Sequence, residues 1–204
     1  MPKATHREIE IKLRVADPPL ILRQLRKVAR FCRERVLEQN TLYDTPEKAF
    51  FGCGRLLRVR LETPAPHGRP LKRRLAQAVL TAKAPPDGGP EKKGRSRYKV
   101  RLERELPIED LGGFVRQIRS LGLRPAFQYE KYRTTFELPG LHLAYDETPA
   151  GNFLELEGTP RAIDRAARAL GFGTRDYLRI TYWDVYVADC RRRGRTPRNM
   201  LFRA

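Results

Sequence analysis

Apolar and charged residues alternate along much of this chain, and the alternation defines its elements. From Glu8 to Val15 the sequence reads Glu-Ile-Glu-Ile-Lys-Leu-Arg-Val, apolar at odd positions and charged at even ones. A period of two marks a strand with one apolar and one polar face. The pattern returns at Leu57–Glu62 and Tyr98–Glu105, and less cleanly at Lys131–Leu138, Leu141–Asp146 and Phe153–Glu157. Val79–Lys83 and Arg35–Tyr43 are further candidate strands. About eight strands result, many joined to a neighbour by a short turn, so the sheet is expected to be mostly antiparallel.

Helical periodicity interrupts the strands. Asp17-Pro18 supplies an N-cap and a proline at the first helical position, followed by an apolar stripe of Leu20, Ile21, Leu25 and Val28. A second helix is expected over Ile108–Leu121, although Gly112-Gly113 weakens it. A third starts at Thr159-Pro160, runs through Ala162, Ile163, Ala166, Ala167 and Leu170, and stops at Gly171. A last amphipathic piece falls near Tyr177–Val187. The expected fold class is α+β: a closed antiparallel β-barrel of about eight strands with helices packed outside.

Length and charge narrow the picture. The chain of 204 residues suits one domain, expected over residues 1–189. Residues 190–204, with Arg-Arg-Arg-Gly-Arg, read as a basic, disordered tail, and Thr63–Arg74 and Ala84–Arg95 as mobile loops. Lys plus Arg number 42 against 24 acidic residues, a formal net charge of +18. Such an excess favours a polyanionic partner: nucleic acid, acidic lipid or a phosphate-rich small molecule. The cysteines Cys32, Cys53 and Cys190 form no CxxC pair, which argues against a disulfide framework or zinc site. His6, His67 and His142 have no ligand spacing and read as structural or surface groups. With no signal-like or membrane-length apolar run, a cytoplasmic location is the default expectation and no membrane partner is expected.

The polar strand faces carry the candidate chemistry. One charged face alone is usually a solvated face. Together they hold Glu8, Glu10, Lys12, Arg14, Arg58, Arg60, Thr81, Lys83, Arg101, Glu103, Glu105, Lys131, Arg133, Asp146, Glu155 and Glu157. If the sheet closes, these faces point inward, where unmatched charges would be prohibitively costly. Guanidinium groups grip phosphate oxygens in a planar, bidentate manner, and carboxylates suit Mg²⁺ or Mn²⁺. Both charge types on one inner wall match a metal–polyphosphate complex. A nucleic-acid-binding module is disfavoured, because aromatic residues are not interleaved with the basic ones on any strand.

Glu8-Ile9-Glu10-Ile11-Lys12 is an ExExK motif that resembles the opening strand of the CYTH family of triphosphate tunnel metalloenzymes. Leu57-Arg58-Val59-Arg60 is similar to the family's LRxR strand, and Leu80-Thr81-Ala82-Lys83 to its lysine-ending strand. Arg101-Leu102-Glu103-Arg104-Glu105 resembles its RxExE, and Lys131-Tyr132-Arg133 its KxR. Asp146, with Gly151-Asn152-Phe153-Leu154-Glu155-Leu156-Glu157, resembles its aspartate, turn and FxExE ending. The resemblance covers roughly residues 6–187, with the motifs in the family's order.

The resemblance implies a triphosphate-bearing small molecule as partner (ATP, thiamine triphosphate or tripolyphosphate) and Mg²⁺ or Mn²⁺ as cofactor. It implies metal binding by Glu8, Glu10, Asp146, Glu155 and Glu157, and triphosphate binding by Lys12, Arg58, Arg60, Lys83, Arg101, Lys131 and Arg133. Glu103 and Glu105 fit the pattern as charge-balancing groups. Arg175-Asp176-Tyr177 stands where the family has Lys-Ser-Tyr, so Arg175 is a further candidate cation. Tyr43, in Tyr43-Asp44-Thr45, is with Lys83 a candidate catalytic residue that orients the attacking water; the alternative for Tyr43 is a strand-end packing residue. The expected activity is metal-dependent hydrolysis of a triphosphate. Conversion of ATP to cyclic AMP and pyrophosphate, as in class IV adenylate cyclases, and a non-catalytic polyphosphate- or nucleic-acid-binding role are the alternatives.

Overall fold

The computed structural model describes residues 5–66, 76–86 and 96–203. His67 and most of the two basic loops lie outside the described residues. Eight strands follow the alternating segments: β1 His6–Val15, β2 Arg30–Asp44, β3 Leu56–Pro64, β4 Gln77–Ala84, β5 Lys99–Ile108, β6 Arg124–Leu138, β7 Leu141–Thr148 and β8 Gly151–Gly158. They close into a barrel in the order β1-β5-β4-β3-β2-β6-β7-β8, and every neighbouring pair is antiparallel.

Closure assigns the two faces of each strand. The apolar residues Ile11 and Leu13 of β1, Leu143 of β7, and Leu154 and Leu156 of β8 are fully buried in one cluster with Ile163, Ala166 and Leu170. They lie beneath α1 (Pro18–Val28) and α4 (Pro160–Ala169). Each such leucine or isoleucine contributes roughly 1.5–3 kcal/mol by leaving water. A second outer cluster joins Val59 of β3 to Ile118 of α3 (Leu111–Ser120). With apolar side chains directed outward under helices, the alternate positions have only the barrel interior to occupy.

Several sequence expectations need correction. In α1 only Ile21 and Leu25 are buried; Leu20 and Val28 are 44% and 57% exposed, so the stripe is narrower than its composition suggests. Ile108 ends β5, and α3 begins at Leu111 because Asp110 caps it, accepting from the Gly113 amide at 2.9 Å. A short α2 (Ala49–Gly52) was not expected; Asp44 accepts from the Phe50 and Phe51 amides and holds its start. The last helix, α5, spans Tyr182–Arg192, where Thr181 and Asp184 form a capping box. Gly171 does end the third expected helix, at φ +86°.

The tail is not disordered. β7 pairs with β6 only from Tyr132 onward, leaving the edge of β6 before it without a strand neighbour. Met200 takes that edge, donating to the Gln128 carbonyl and accepting from the Glu130 amide, both at 2.9 Å. Its side chain is fully buried with Phe127, Tyr129, Phe153, Tyr182 and Val185. An unpaired edge and one apolar side chain thus outweigh the tail's basic composition. Among the described residues, no helix is long and apolar enough to cross a membrane.

Candidate active site in the barrel interior

The inward faces bring together side chains from all eight strands. Register places Glu10 opposite Lys99 and Glu157, Lys12 opposite Glu155, Glu38 opposite Glu62 and Lys131, Arg58 opposite Thr81, Lys83 opposite Glu103, and Arg133 opposite Asp146. Glu8, Glu10, Lys12, Glu38, Arg58, Arg60, Arg101, Glu103, Lys131 and Asp146 are all buried. So many charges out of water require compensation, and each is met by an opposite charge or a hydrogen bond.

One part of the network is well matched. Asp146, with no exposure, accepts from Lys131 at 2.9 Å, from Arg133 at 2.7 and 2.6 Å, and from the Tyr182 hydroxyl. Arg133 also bonds Glu155, which pairs with Lys12 at 3.0 Å. Burial alone would raise the Glu155 pKa, but Lys12, Arg133 and Lys131 hold it well below the usual carboxylate range. Burial likewise opposes the charge on Glu38, yet Lys131, Arg133 and Arg60 keep it an anion. The Tyr182 ring lies over this group, its centroid 4.9 Å from Lys131 Nζ and 5.2 Å from Lys12 Nζ.

The other part is short of positive charge. Lys83 donates to Glu8 at 2.7 and 2.6 Å and contacts Glu103 at 2.6 Å. Lys99 donates to Glu10 at 3.1 Å. Burial raises the Glu8 carboxyl to about 7; Lys83 opposes the shift, while Glu10 and Glu103 add to it. Burial also lifts Glu157 to about 7, with Glu8 repelling its charge. Two carboxyl groups that hold protons near neutrality mark where a cation would be most welcome.

That electrostatic deficit tests the implied metal. Glu8, Glu10 and Glu157 are hard oxygen donors of the kind Mg²⁺ and Mn²⁺ take, and the residual negative field at Glu8 and Glu157 fits a divalent ion. Burial opposes the charge on Glu10, but Lys12 and Lys99 hold it well below the usual carboxylate range, so it would join a metal only by exchanging those lysines. Asp146 and Glu155 are different, because their lone pairs already serve Lys131, Arg133 and Lys12. Among the described residues, no three acidic, histidine or cysteine side chains stand grouped as a finished ion cage.

Most candidates from the sequence meet in this interior: Glu8, Glu10, Lys12, Arg58, Arg60, Lys83, Lys131, Arg133, Asp146, Glu155 and Glu157, with Glu103 and Glu105 among them. Arg101 also faces inward and donates to the Gly54 carbonyl between β2 and β3. Two candidates fall elsewhere. Tyr43 stands opposite Leu57, so its ring faces outward and packs with Val59, Ile118 and Leu123 under α3. Arg175 is exposed on the 3-10 turn Thr174–Asp176, where Asp176 bonds back to Gly173 rather than turning the segment inward.

The sequence reading missed Glu38, Asn40, Glu62, Lys99, Tyr129 and Tyr182. Glu62 and Lys99 lie within alternating segments and were legible by parity. Glu38 and Asn40 were not, because Val-Leu-Glu-Gln-Asn-Thr-Leu-Tyr in β2 does not alternate. Tyr129 and Tyr182 read as ordinary apolar positions, and no local signal brings a tyrosine of α5 into a barrel.

Comparison with known proteins agrees with this architecture. The sequence profile of the CYTH domain matches residues 6–170. A structure from Vibrio parahaemolyticus, described as an adenylate cyclase candidate, superposes with TM-score 0.69 at 17% identity, covering 89% of this chain and 98% of that one. A Pyrococcus horikoshii protein gives TM-score 0.69 at 23% identity, with 89% and 98% covered. A Hippeastrum adenylyl cyclase candidate, described as having a dominant triphosphatase activity, gives 0.57 at 18%, with 93% and 97% covered. At these identities the structures show a shared fold. No curated protein matches the sequence.

Proposed function

The chain belongs to the CYTH domain family, and from that premise we propose that it is a divalent-metal-dependent enzyme that hydrolyses a triphosphate in the barrel interior. The observation that carries the reading is the pairing of a buried ring of cations with carboxylates that remain short of positive charge. A phosphate-binding surface without catalysis needs the cations alone.

Lys12, Lys131 and Arg133 are paired with Glu155 and Asp146, whereas Glu8 and Glu157 stay under-compensated. A metal–triphosphate complex lets cations and carboxylates exchange partners at little net cost in buried charge. Lys12, Arg58, Arg60, Lys131 and Arg133 then hold phosphate oxygens, Arg58 and Arg133 with planar guanidinium forks. Glu8, Glu10 and Glu157 would hold the metal. Bound there, the metal would neutralise charge on the phosphate oxygens as the reaction proceeds. Lys83, between Glu8 and Glu103, stays protonated: burial opposes its charge, but the carboxylates around it outweigh burial. It is placed to stabilise the charge that develops on the phosphate chain.

Hydrolysis asks only that the phosphate chain and a water be held. Cyclisation of ATP needs in addition a ribose 3′-hydroxyl aligned on the α-phosphorus, and the inner wall is dominated by groups suited to phosphate and metal. The cyclase reading has its own support in the description of the Vibrio structure. The deciding experiment incubates the protein with tripolyphosphate, thiamine triphosphate and ATP, each with Mg²⁺ or Mn²⁺, with and without EDTA, and separates the products. Orthophosphate release abolished by EDTA is expected. Cyclic AMP with pyrophosphate from ATP would reverse the order of the two readings, and no turnover of any substrate would end both.

A further inference from the structure

We propose that Asn40, rather than Tyr43, is the residue of β2 that holds the attacking water against the terminal phosphate; the inference rests on the hydrolase reading above. Tyr43 lies in the outer cluster under α3. Asn40, three residues earlier and on the opposite face, is 2% exposed. Neither its Oδ1 nor its Nδ2 has a hydrogen-bond partner among the described residues. A buried amide left unpaired on both sides lowers stability, and such a group in a native fold calls for a ligand or water to complete it.

Its surroundings indicate which ligand. Asn40 stands opposite Arg60 on β3 and Tyr129 on β6. Arg58 donates to the Tyr129 hydroxyl at 3.3 Å, which brings a second guanidinium to the same region. Glu38 precedes Asn40 by two positions on the inner face, and Leu42 follows by two, beside the apolar cluster of Phe127, Tyr129 and Phe153. The amide therefore sits where the charged interior meets an apolar floor. Guanidinium groups there attract phosphate but can only donate hydrogen bonds, so they cannot accept one from water. Glu38 can accept, but it is held as an anion and repels phosphate. Asn40 is neutral and does both: Nδ2–H donates to a non-bridging phosphoryl oxygen, and Oδ1 accepts from the water. An amide has the same water-orienting capacity in other phosphoryl-transfer sites.

In the step so arranged, the water oxygen bonds to the terminal phosphorus. The bond from that phosphorus to the bridging oxygen breaks, and its electron pair leaves with the diphosphate. One water proton stays on the orthophosphate and the other ends on the departing diphosphate.

The test compares wild type, Asn40→Leu and Asn40→Asp with tripolyphosphate. Phosphate release is followed with Mn²⁺, and binding and melting temperature are measured without metal. In Asn40→Leu the ligand-free protein is expected to melt no lower than wild type, since an unpaired amide is removed, while kcat falls about a hundredfold and KM shifts only a few-fold. In Asn40→Asp the donor is lost and a negative charge faces phosphate, so tripolyphosphate affinity is expected to fall roughly tenfold or more. Wild-type kcat in Asn40→Leu, or wild-type affinity in Asn40→Asp, overturns the role of Asn40 alone. A lowered melting temperature in both variants, with kcat and affinity reduced in proportion, makes Asn40 structural and also overturns it. Wild-type protein that releases no phosphate instead overturns the hydrolase reading, and the water-holding role with it.

Discussion

Lys83 donates to both carboxylate oxygens of Glu8, at 2.7 and 2.6 Å, although β5 separates their strands in the barrel order. The pair thus spans the interior rather than a single ladder. Removing the lysine would strand Glu8 and Glu103 as neighbouring buried carboxylates. Lys83→Met is expected to destabilise the protein by about 3 kcal/mol at pH 8. The loss should shrink at pH 5, where Glu8 can take up a proton. Urea unfolding at the two pH values checks this; equal losses would mean that the ion pair is not the source.

The raised carboxyl groups predict a pH dependence with a definite sign. Glu8 and Glu157 titrate near 7 in the folded protein and near their ordinary value of 4.5 when unfolded. Between these values the folded state holds more protons, so their contribution to stability is full below about 4.5 and is lost as pH rises through about 7. Divalent metal competes with those protons. Its affinity should therefore rise with pH through about 7 and level off above it, with proton release on binding. Calorimetric Mn²⁺ titrations in two buffers of different ionisation enthalpy measure both; pH-independent affinity without proton release would remove these carboxylates from the metal site.

Glu10→Gln removes a charge from the proposed metal site at nearly unchanged volume. Turnover is expected to fall about a hundredfold or more, with the circular dichroism spectrum unchanged. Activity at the wild-type level with ordinary metal dependence would take the ExExK carboxylates out of the mechanism.

Arg58→Ala and Arg133→Ala are expected to weaken triphosphate binding by about 2 kcal/mol or more, because each removes a charged donor that lines the barrel interior. Arg192→Ala, at an exposed position paired with Asp189, should change it by less than about 0.5 kcal/mol. Titration calorimetry with tripolyphosphate separates the two cases. Equal losses at all three positions would indicate a diffuse polyanion-binding surface.

Met200→Ala is expected to cost about 2–4 kcal/mol of stability, since its side chain is fully buried beside Tyr129 and Tyr182. A chain ending at Arg195 should lose at least as much, because the backbone bonds to β6 go as well. Chemical denaturation reads both. No change in either would mean that the tail contributes nothing to the wall it covers.

The sequence by itself determined the strands and their charged faces. Glu8-Ile9-Glu10-Ile11-Lys12 alternates because one face packs under helices and the other lines the interior, and that periodicity is a property of neighbours along the chain. The same local rule located Arg58, Arg60, Lys131, Arg133, Glu155 and Glu157. It could not read β2, whose inner face holds Val36 and Leu42 beside Glu38 and Asn40 and so shows no alternation. There only the pairing with β3 and β6 decides that Tyr43 turns outward and Asn40 inward. Tertiary structure alone also brought Tyr182 over Lys12 and Lys131, ordered the tail on the free edge of β6, and left Glu8 and Glu157 short of positive charge while Asp146 is saturated. Periodicity fixes which face a charge occupies, whereas its partners depend on barrel closure and register, which join residues as distant in sequence as Glu8 and Lys83.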